Sequence, residues 1–177
     1  LSEWLRTRDH TRAAWLTLDR TDNDRRRFWA DLTAAIAGVL DPDVDPLAGL
    51  RPPPLGPFDG FVASFLNAAA ATYDPVTVVL DDAHEVGSDA VLTDLDAMLE
   101  HGQPGLRLVL ATRVDPPLRL QRLRMAGNVG EIRFRELSFT RDEAGQLLRQ
   151  EHPATTPDDI DALWGKTEGW AAGLRIA

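Results

Sequence analysis

Pro75-Val-Thr-Val-Val-Leu-Asp-Asp82 decides the fold class of this chain. Its apolar run, Val76 to Leu80, has the length of a strand and no polar face, the pattern of a strand buried on both sides in a parallel sheet. Two carboxylates close it. Leu106-Arg-Leu-Val-Leu-Ala-Thr-Arg113 repeats the pattern with a polar end, and Ala13 to Leu18 is a third apolar run, closed by Asp19 and expected to be a buried strand. Helical patterns fill the intervals. Asp22, Asn23 and Asp24 offer caps for an amphipathic helix through Phe28, Trp29, Leu32, Ile36 and Leu40. A second pattern runs from Phe58 to Tyr73 through Phe61, Phe65, Leu66 and Ala69, and Asp74-Pro75 stops it. Ser88 to Leu99 is the third, broken by Gly102 to Gly105. Strands alternating with helices at these lengths predict an α/β domain with a parallel sheet and helices on both faces.

Outward from that centre the pattern loosens. Asp41 to Pro57, with Pro42, Pro46, Pro52, Pro53, Pro54 and Pro57, reads as an irregular connection. Leu1, Trp4 and Leu5 read as the second half of a helix, and Val129 to Phe134 as a last strand. Only helices are expected after that. Thr140-Arg-Asp-Glu143 is a capping box before Ala144, Leu147 and Leu148, and Thr156-Pro157 opens a stripe of Ile160, Leu163 and Trp164. The boundary falls near Leu137, giving an α/β domain over 1–136 and the start of a helical domain over 137–177. Trp170, Leu174 and Ile176 carry a helical pattern up to Ala177, so the chain is expected to be a piece of a longer protein.

Composition narrows the chemistry. The 177 residues contain no cysteine, which removes disulfide scaffolds, thiolate metal sites and cysteine nucleophiles. A net charge of −9 is wrong for gripping phosphate backbones, so any DNA binding belongs to another domain. The basic cluster Arg119, Arg122, Arg124, Arg133 and Arg135 lacks interleaved aromatics and reads as a solvated face or domain contact. No stretch reaches the roughly 18 apolar residues of a membrane span. A cytoplasmic protein is expected.

Ligands of open parallel sheets bind beyond the carboxyl ends of the strands, which singles out the residues just past each apolar run. Asp81 and Asp82 qualify. There a carboxylate can serve as a hard ligand for magnesium, and a second can accept a proton from an attacking water. The plainer alternative is a turn cap by Asp82. Arg113, at the end of a neighbouring run, can reach phosphate oxygens at the same edge, with help from the Thr112 hydroxyl; its plainer alternative is a salt bridge to Asp115 or Asp82. Gly165-Lys166-Thr167 follows a helical stripe and is rejected as a phosphate-binding loop. His10, His84, His101 and His152 show no metal-ligand spacing and read as surface or loop histidines, while the tryptophans read mostly as core, with Trp170 the one to watch.

Several segments together resemble a known family. They are Ala14-Trp-Leu-Thr-Leu-Asp19, Asp22-Asn-Asp24 with Arg27-Phe-Trp29, Val78-Val-Leu-Asp-Asp-Ala-His-Glu85, Leu108-Val-Leu-Ala-Thr-Arg-Val-Asp-Pro-Pro-Leu118 and Thr167-Glu-Gly-Trp-Ala-Ala-Gly-Leu174. In this order they resemble the NTPase region of the MalT-like, large ATP-binding LuxR-type transcriptional regulators, of the STAND class of signal-transduction ATPases. The resemblance implies an incomplete P-loop NTPase-type sheet. It gives Asp81 the Walker B magnesium-associated role, Asp82 that of water activation and Arg113 that of the sensor of the terminal phosphate. It also places Gly169 and Trp170 where the family's helical domain approaches the nucleotide, although Gly169-Trp170-Ala171 stands where many relatives have Gly-x-Pro.

In that family the phosphate-binding loop lies directly upstream of a helix ending like Leu1 to Leu5, and its strand runs between the sensor strand and the last strand. The implied fragment lacks both and binds ATP weakly on its own. The implied parent is a switch holding ATP or ADP with magnesium. It self-associates in its ATP form, is reset by slow hydrolysis and acts on DNA through a separate helix-turn-helix. Two alternatives remain from the residues alone. One is a degenerate NTPase-like scaffold that keeps Asp81 and Asp82 for structure. The other is an independent metal-dependent hydrolase, which needs a third ligand that no useful spacing supplies.

Overall fold

The computed structural model describes residues 12–54, 56–72, 74–102 and 104–176. The expected opening helix at Leu1 to Leu5 and His10 lie outside them. Compactness divides the chain into two units, Leu1–Leu123 and Arg124–Ala177.

The first unit is built on a three-stranded sheet in the order β1 (Ala13–Thr17), β2 (Val76–Asp81), β3 (Leu106–Leu110), with both pairings parallel. The register sets Thr17 beside Asp81 and Leu80 beside Leu110, so the three carboxyl ends finish at one edge. As the apolar run implied, Val76, Val78, Val79 and Leu80 of β2 are all fully buried. β1 differs from expectation: only one of its faces is covered, Ala14 being buried while Trp15 on the opposite face is 36% exposed, and among the described residues it pairs with β2 alone.

Helices surround this sheet. α1 (Arg25–Ala37) starts where Asp24 accepts hydrogen bonds from the Arg26 and Arg27 amides, as its sequence predicts. α2 (Asp59–Ala70) and α3 (Asp89–His101) follow, and α1 packs on β1 and against α3. Trp29 is the hub, with its ring edge-to-face with Phe28, Phe61 and Phe65 at centroid separations of 5.8, 5.1 and 4.9 Å. Such pairs contribute roughly 0.5–1.5 kcal/mol each beyond the area they bury. Its indole N–H donates to Asp94 Oδ2 at 2.8 Å, and Arg25 donates to the same buried carboxylate through Nε and Nη2 at 2.7 and 2.8 Å. That carboxylate is compensated by a guanidinium and three hydrogen bonds, the condition under which a buried charge is tolerated.

The proline-rich segment is irregular, as expected, and anchored. Arg12 donates to Asp45 at 2.6 Å, the Asp41 amide donates to the other Asp45 oxygen at 3.0 Å, and Leu47 and Ala48 are buried. Gly105, just before β3, lies so close to the end of α2 that a Cβ there would sit 1.6 Å from the Ala69 carbonyl oxygen. Only glycine fits.

The second unit has its own small core of Ala144, Leu148, Ile160 and Leu174. Its main helices are α6 (Arg141–Glu151), α7 (Pro157–Thr167) and α8 (Ala171–Ile176), preceded by the short α5 (Phe134–Leu137); α4 (Gln121–Met125) spans the division of the units. The capping box read from the sequence, Thr140 with Glu143, is present, and Thr156, read only as a cap, forms a second box with Asp159. The strand expected at Val129 to Phe134 is absent. No strand follows Leu110 among the described residues, Ile132 is 71% exposed, and Phe134 begins α5. Alternating apolar residues favour a strand only where a neighbouring strand can take up the backbone N–H and C=O groups, and none does here.

Candidate functional site

The carboxyl edge of the sheet gathers three of the sequence-predicted site residues. Asp81 is the last residue of β2; its backbone carbonyl accepts from the Leu18 amide of the β1 side at 2.9 Å, and its Oδ1 accepts from the Asp82 amide at 3.0 Å. Asp82 then turns the chain with φ +52° and ψ +38°, the left-handed region, which costs a non-glycine residue on the order of 1–3 kcal/mol. This turn aims its carboxylate along the edge. Ala83 donates to the Ala111 carbonyl and Ala111 to the Leu80 carbonyl, which carries the β2–β3 pairing past the strand ends toward Arg113. Arg113 Nη2 stands 3.8 Å from Asp82 Oδ1. The Thr112 hydroxyl donates to the Val114 carbonyl at 2.7 Å, within its own turn.

The loop after the acidic pair is held from a distance. Asn23 closes a 3₁₀ turn (Arg20–Asn23); its Oδ1 accepts from both the Gly87 and Ser88 amides at 2.7 Å, and its Nδ2 donates to the Glu85 and Arg20 carbonyls at 2.9 and 3.0 Å. One amide side chain thus uses all its ordinary hydrogen-bonding capacity to fix the segment that follows Asp82. In the sequence Asn23 counted only as a capping candidate. His84 was expected on a surface or loop. Its side chain is 16% exposed, with Nδ1 3.9 Å from Asp82 Oδ1 and Nε2 3.7 Å from Glu85 Oε1. Its position two residues after Asp82 was the available signal.

Magnesium commonly takes one or two protein carboxylates and completes its shell with water and phosphate oxygens. Asp81, a partly exposed oxygen donor at the edge, fits that partial role. Among the described residues no group of three His, Asp or Glu side chains is arranged to hold a metal unaided.

Gly169 and Trp170 belong to the second unit. Gly169 has φ +77°, its carbonyl accepts from the Phe139 amide at 2.9 Å, and a Cβ on it would lie 2.3 Å from the Phe139 carbonyl oxygen. This close backbone approach requires glycine by itself. The Trp170 ring is 57% exposed, and the same unit has a cavity of about 340 Å³ lined by Phe134, Phe139 and Trp164 among others. Of the tryptophans described, Trp29 alone is core; Trp15 and Trp164 are each 36% exposed. Gly165-Lys166-Thr167 lies in α7, in keeping with its rejection as a phosphate loop. In the basic cluster, Arg124 and Arg133 share Glu131, at 2.6 and 2.8 Å, and Arg119 stands 3.7 Å from Asp96.

No family model matches the chain. It is 31% identical over 97% of its length to the serine/threonine-protein kinase PknK of Mycobacterium tuberculosis, and 28% identical over 92% to the HTH-type transcriptional regulator MalT of Serratia proteamaculans. It spans 16% and 18% of those two proteins. In fold it matches a crystal structure of a Signal Transduction ATPase with Numerous Domains (STAND) protein with a tetratricopeptide repeat sensor from Pyrococcus horikoshii. The TM-score is 0.62 and the identity 16%, over 92% of this chain and 23% of that one. In sequence the chain is thus similar to a part of PknK and of MalT regulators, and in fold to a part of a STAND ATPase.

Proposed function

We propose, from this kinship with MalT-like and STAND proteins, that the chain is the nucleotide-responsive switch region of a bacterial LuxR/MalT-type transcriptional regulator. In this reading residues 1–136 make a nucleotide-binding α/β domain without its phosphate loop, and 137–177 open the helical domain. The protein is cytoplasmic; among the described residues no helix is long and apolar enough to cross a membrane. The observation that carries the reading is the meeting of Asp81, Asp82 and Arg113 at one carboxyl edge of a parallel sheet.

Asp81, as the Walker B carboxylate, would hold magnesium through its side-chain oxygen, and the metal would supply charge screening for the phosphates. Asp82 accepts a proton from water as the water oxygen bonds to the γ-phosphorus and the bond to the β-phosphate oxygen breaks, leaving ADP and phosphate. Arg113 exchanges its loose contact with Asp82 for the γ-phosphate, which makes it the sensor of ATP against ADP. Within the helical domain, Gly169 and Trp170 are the residues assigned to nucleotide contact. ATP with an inducer favours a self-associating form, ADP a resting form, and slow hydrolysis returns one to the other. DNA is bound by a different domain.

Sedimentation of the full-length protein with inducer tests this. Larger assemblies are expected with ATP and magnesium than with ADP, and identical distributions in the two nucleotides overturn the proposal.

A further inference from the structure

Five charged or ionisable side chains form one string along the carboxyl edge. Arg20 Nε meets Glu85 Oε2 at 3.3 Å, Glu85 Oε1 lies 3.7 Å from His84 Nε2, His84 Nδ1 lies 3.9 Å from Asp82 Oδ1, and that same oxygen lies 3.8 Å from Arg113 Nη2. Within it one atom is out of balance. His84 Nδ1 is buried from solvent and has no hydrogen-bond partner, a condition that disfavours a buried polar atom. Asp82 Oδ1, 3.9 Å from this nitrogen, stands beyond bonding reach, and Arg113 Nη2 faces the same oxygen at 3.8 Å.

The backbone makes the missing bond attainable. Asp82 sits in the left-handed region at the junction of β2 and the 3₁₀ turn Ala83–Glu85, and that turn is pinned by Asn23 through the Glu85 carbonyl and the Gly87 and Ser88 amides. The backbone just after the imidazole is thereby held, and the Asp82 side chain, 40% exposed, lies between His84 and Arg113. When a γ-phosphate draws Arg113 away, the remaining donor is His84.

We infer that His84 is the positioning residue of Asp82: once Arg113 leaves for phosphate, His84 Nδ1–H donates to one Asp82 oxygen and turns the other toward the attacking water. This rests on the reading of Asp82 as proton acceptor. In this arrangement Nδ1 carries the ring proton; Glu85 Oε1, 3.7 Å from Nε2, is beyond hydrogen-bond reach and does not compete for it. His84 touches neither water nor phosphate in this arrangement and acts only through Asp82.

The test uses the full-length protein and compares ATP turnover, nucleotide affinity and thermal midpoint for His84→Ala, His84→Asn, His84→Gln, Asp82→Asn and the double variant His84→Ala/Asp82→Asn. Misplacement of a catalytic group typically costs up to about a hundredfold, so kcat of His84→Ala is expected to fall about tenfold to a hundredfold with affinity unchanged. His84→Asn, whose amide donor falls near the Nδ1 position, recovers most of the loss; His84→Gln, whose donor falls near Nε2, does not. The double variant is no slower than Asp82→Asn alone, because His84 has nothing left to position.

Native turnover in His84→Ala alongside slow turnover in Asp82→Asn overturns the inference and leaves Asp82 in place. Multiplying losses in the double variant, or equal activity of His84→Asn and His84→Gln, overturn it as well. Native turnover in Asp82→Asn removes the proton-acceptor reading and this inference with it. Should His84→Ala fail to fold, the contrast between His84→Asn and His84→Gln decides alone.

Discussion

Arg113 Nη2 and Asp82 Oδ1 face each other at 3.8 Å, a cation and an anion that follow neighbouring strands and share one edge of the sheet. The guanidinium is 79% exposed and the carboxylate 40%, so the contact is worth at most about 1 kcal/mol and is readily exchanged for a better partner. A γ-phosphate offers more charge and more acceptor oxygens than Asp82 does.

Arg113→Ala in the full-length protein is therefore expected to reduce the preference for ATP over ADP while leaving ADP affinity nearly unchanged. The loss of stability stays within about 1 kcal/mol. Titration with both nucleotides and one thermal midpoint check this, and an unchanged ATP to ADP ratio reduces Arg113 to a surface ion pair.

The two carboxylates separate by role. Asp82→Asn is expected to keep ATP affinity and to slow hydrolysis by about a hundredfold or more, the usual contribution of a general base. Asp81→Asn weakens the magnesium-dependent part of binding instead. Affinity measured with and without magnesium, beside steady-state turnover, distinguishes them; equal turnover in wild type and Asp82→Asn removes Asp82 from the chemistry.

The 177-residue chain by itself is expected to show no saturable ATP binding at micromolar nucleotide. A carboxylate edge and one arginine do not replace the backbone amides and lysine that cradle β- and γ-phosphates. Calorimetric titration decides it, and a micromolar dissociation constant reveals a phosphate site elsewhere in these residues.

Asp94→Ala is expected to be among the most damaging single changes in the first unit. It takes from the Arg25 guanidinium, whose pKa is raised chiefly by its hydrogen bond to Asp94, its closest carboxylate, leaving Asp59 at 3.7 Å, and it leaves the Trp29 N–H without its acceptor. Loss of hydrogen bonds to a buried charged acceptor costs about 1.5–3 kcal/mol. Asp94→Asn keeps an acceptor for the indole and should lose less. Urea denaturation of the two variants gives the order.

Acid acts on the second unit through its caps. The Glu143 carboxyl is held below its ordinary 4.5, first by the Thr140 amide and then by its hydroxyl, and the Asp159 carboxyl below its ordinary 3.8, first by the Thr156 hydroxyl and then by its amide. Both folded-state values are depressed, so the caps contribute fully above the unfolded values and fade as pH falls through the folded ones. Carboxyl titrations followed by NMR should show both groups below those ordinary values and moving upward in Thr140→Val and Thr156→Val. An unmoved Glu143 in Thr140→Val contradicts the capping assignment.

The caps, the three strands and their carboxyl-terminal charges were legible because each rests on residues within a few positions of one another. Asp24, Thr140 and Thr156 cap the helices that follow them, and the apolar run before Asp81 has no polar face to turn to solvent. Val129 to Phe134 misled for the same reason. Its local pattern suits a strand, yet a strand exists only where another strand completes its hydrogen bonds, and the described sheet ends at β3.

Alone, the sequence determined the three strands and the main helices and that Asp81, Asp82 and Arg113 follow strand ends, since periodicity and capping are local properties of the chain. Tertiary structure decided the rest of the site. It brought Asn23 onto backbone groups more than sixty positions away, set Asp94 under Arg25 and Trp29, brought Arg113 within 3.8 Å of Asp82, and buried one nitrogen of His84 beside it. Those partnerships depend on the register of parallel strands and on which helix faces meet, and such contacts between distant segments are fixed by packing of the whole unit.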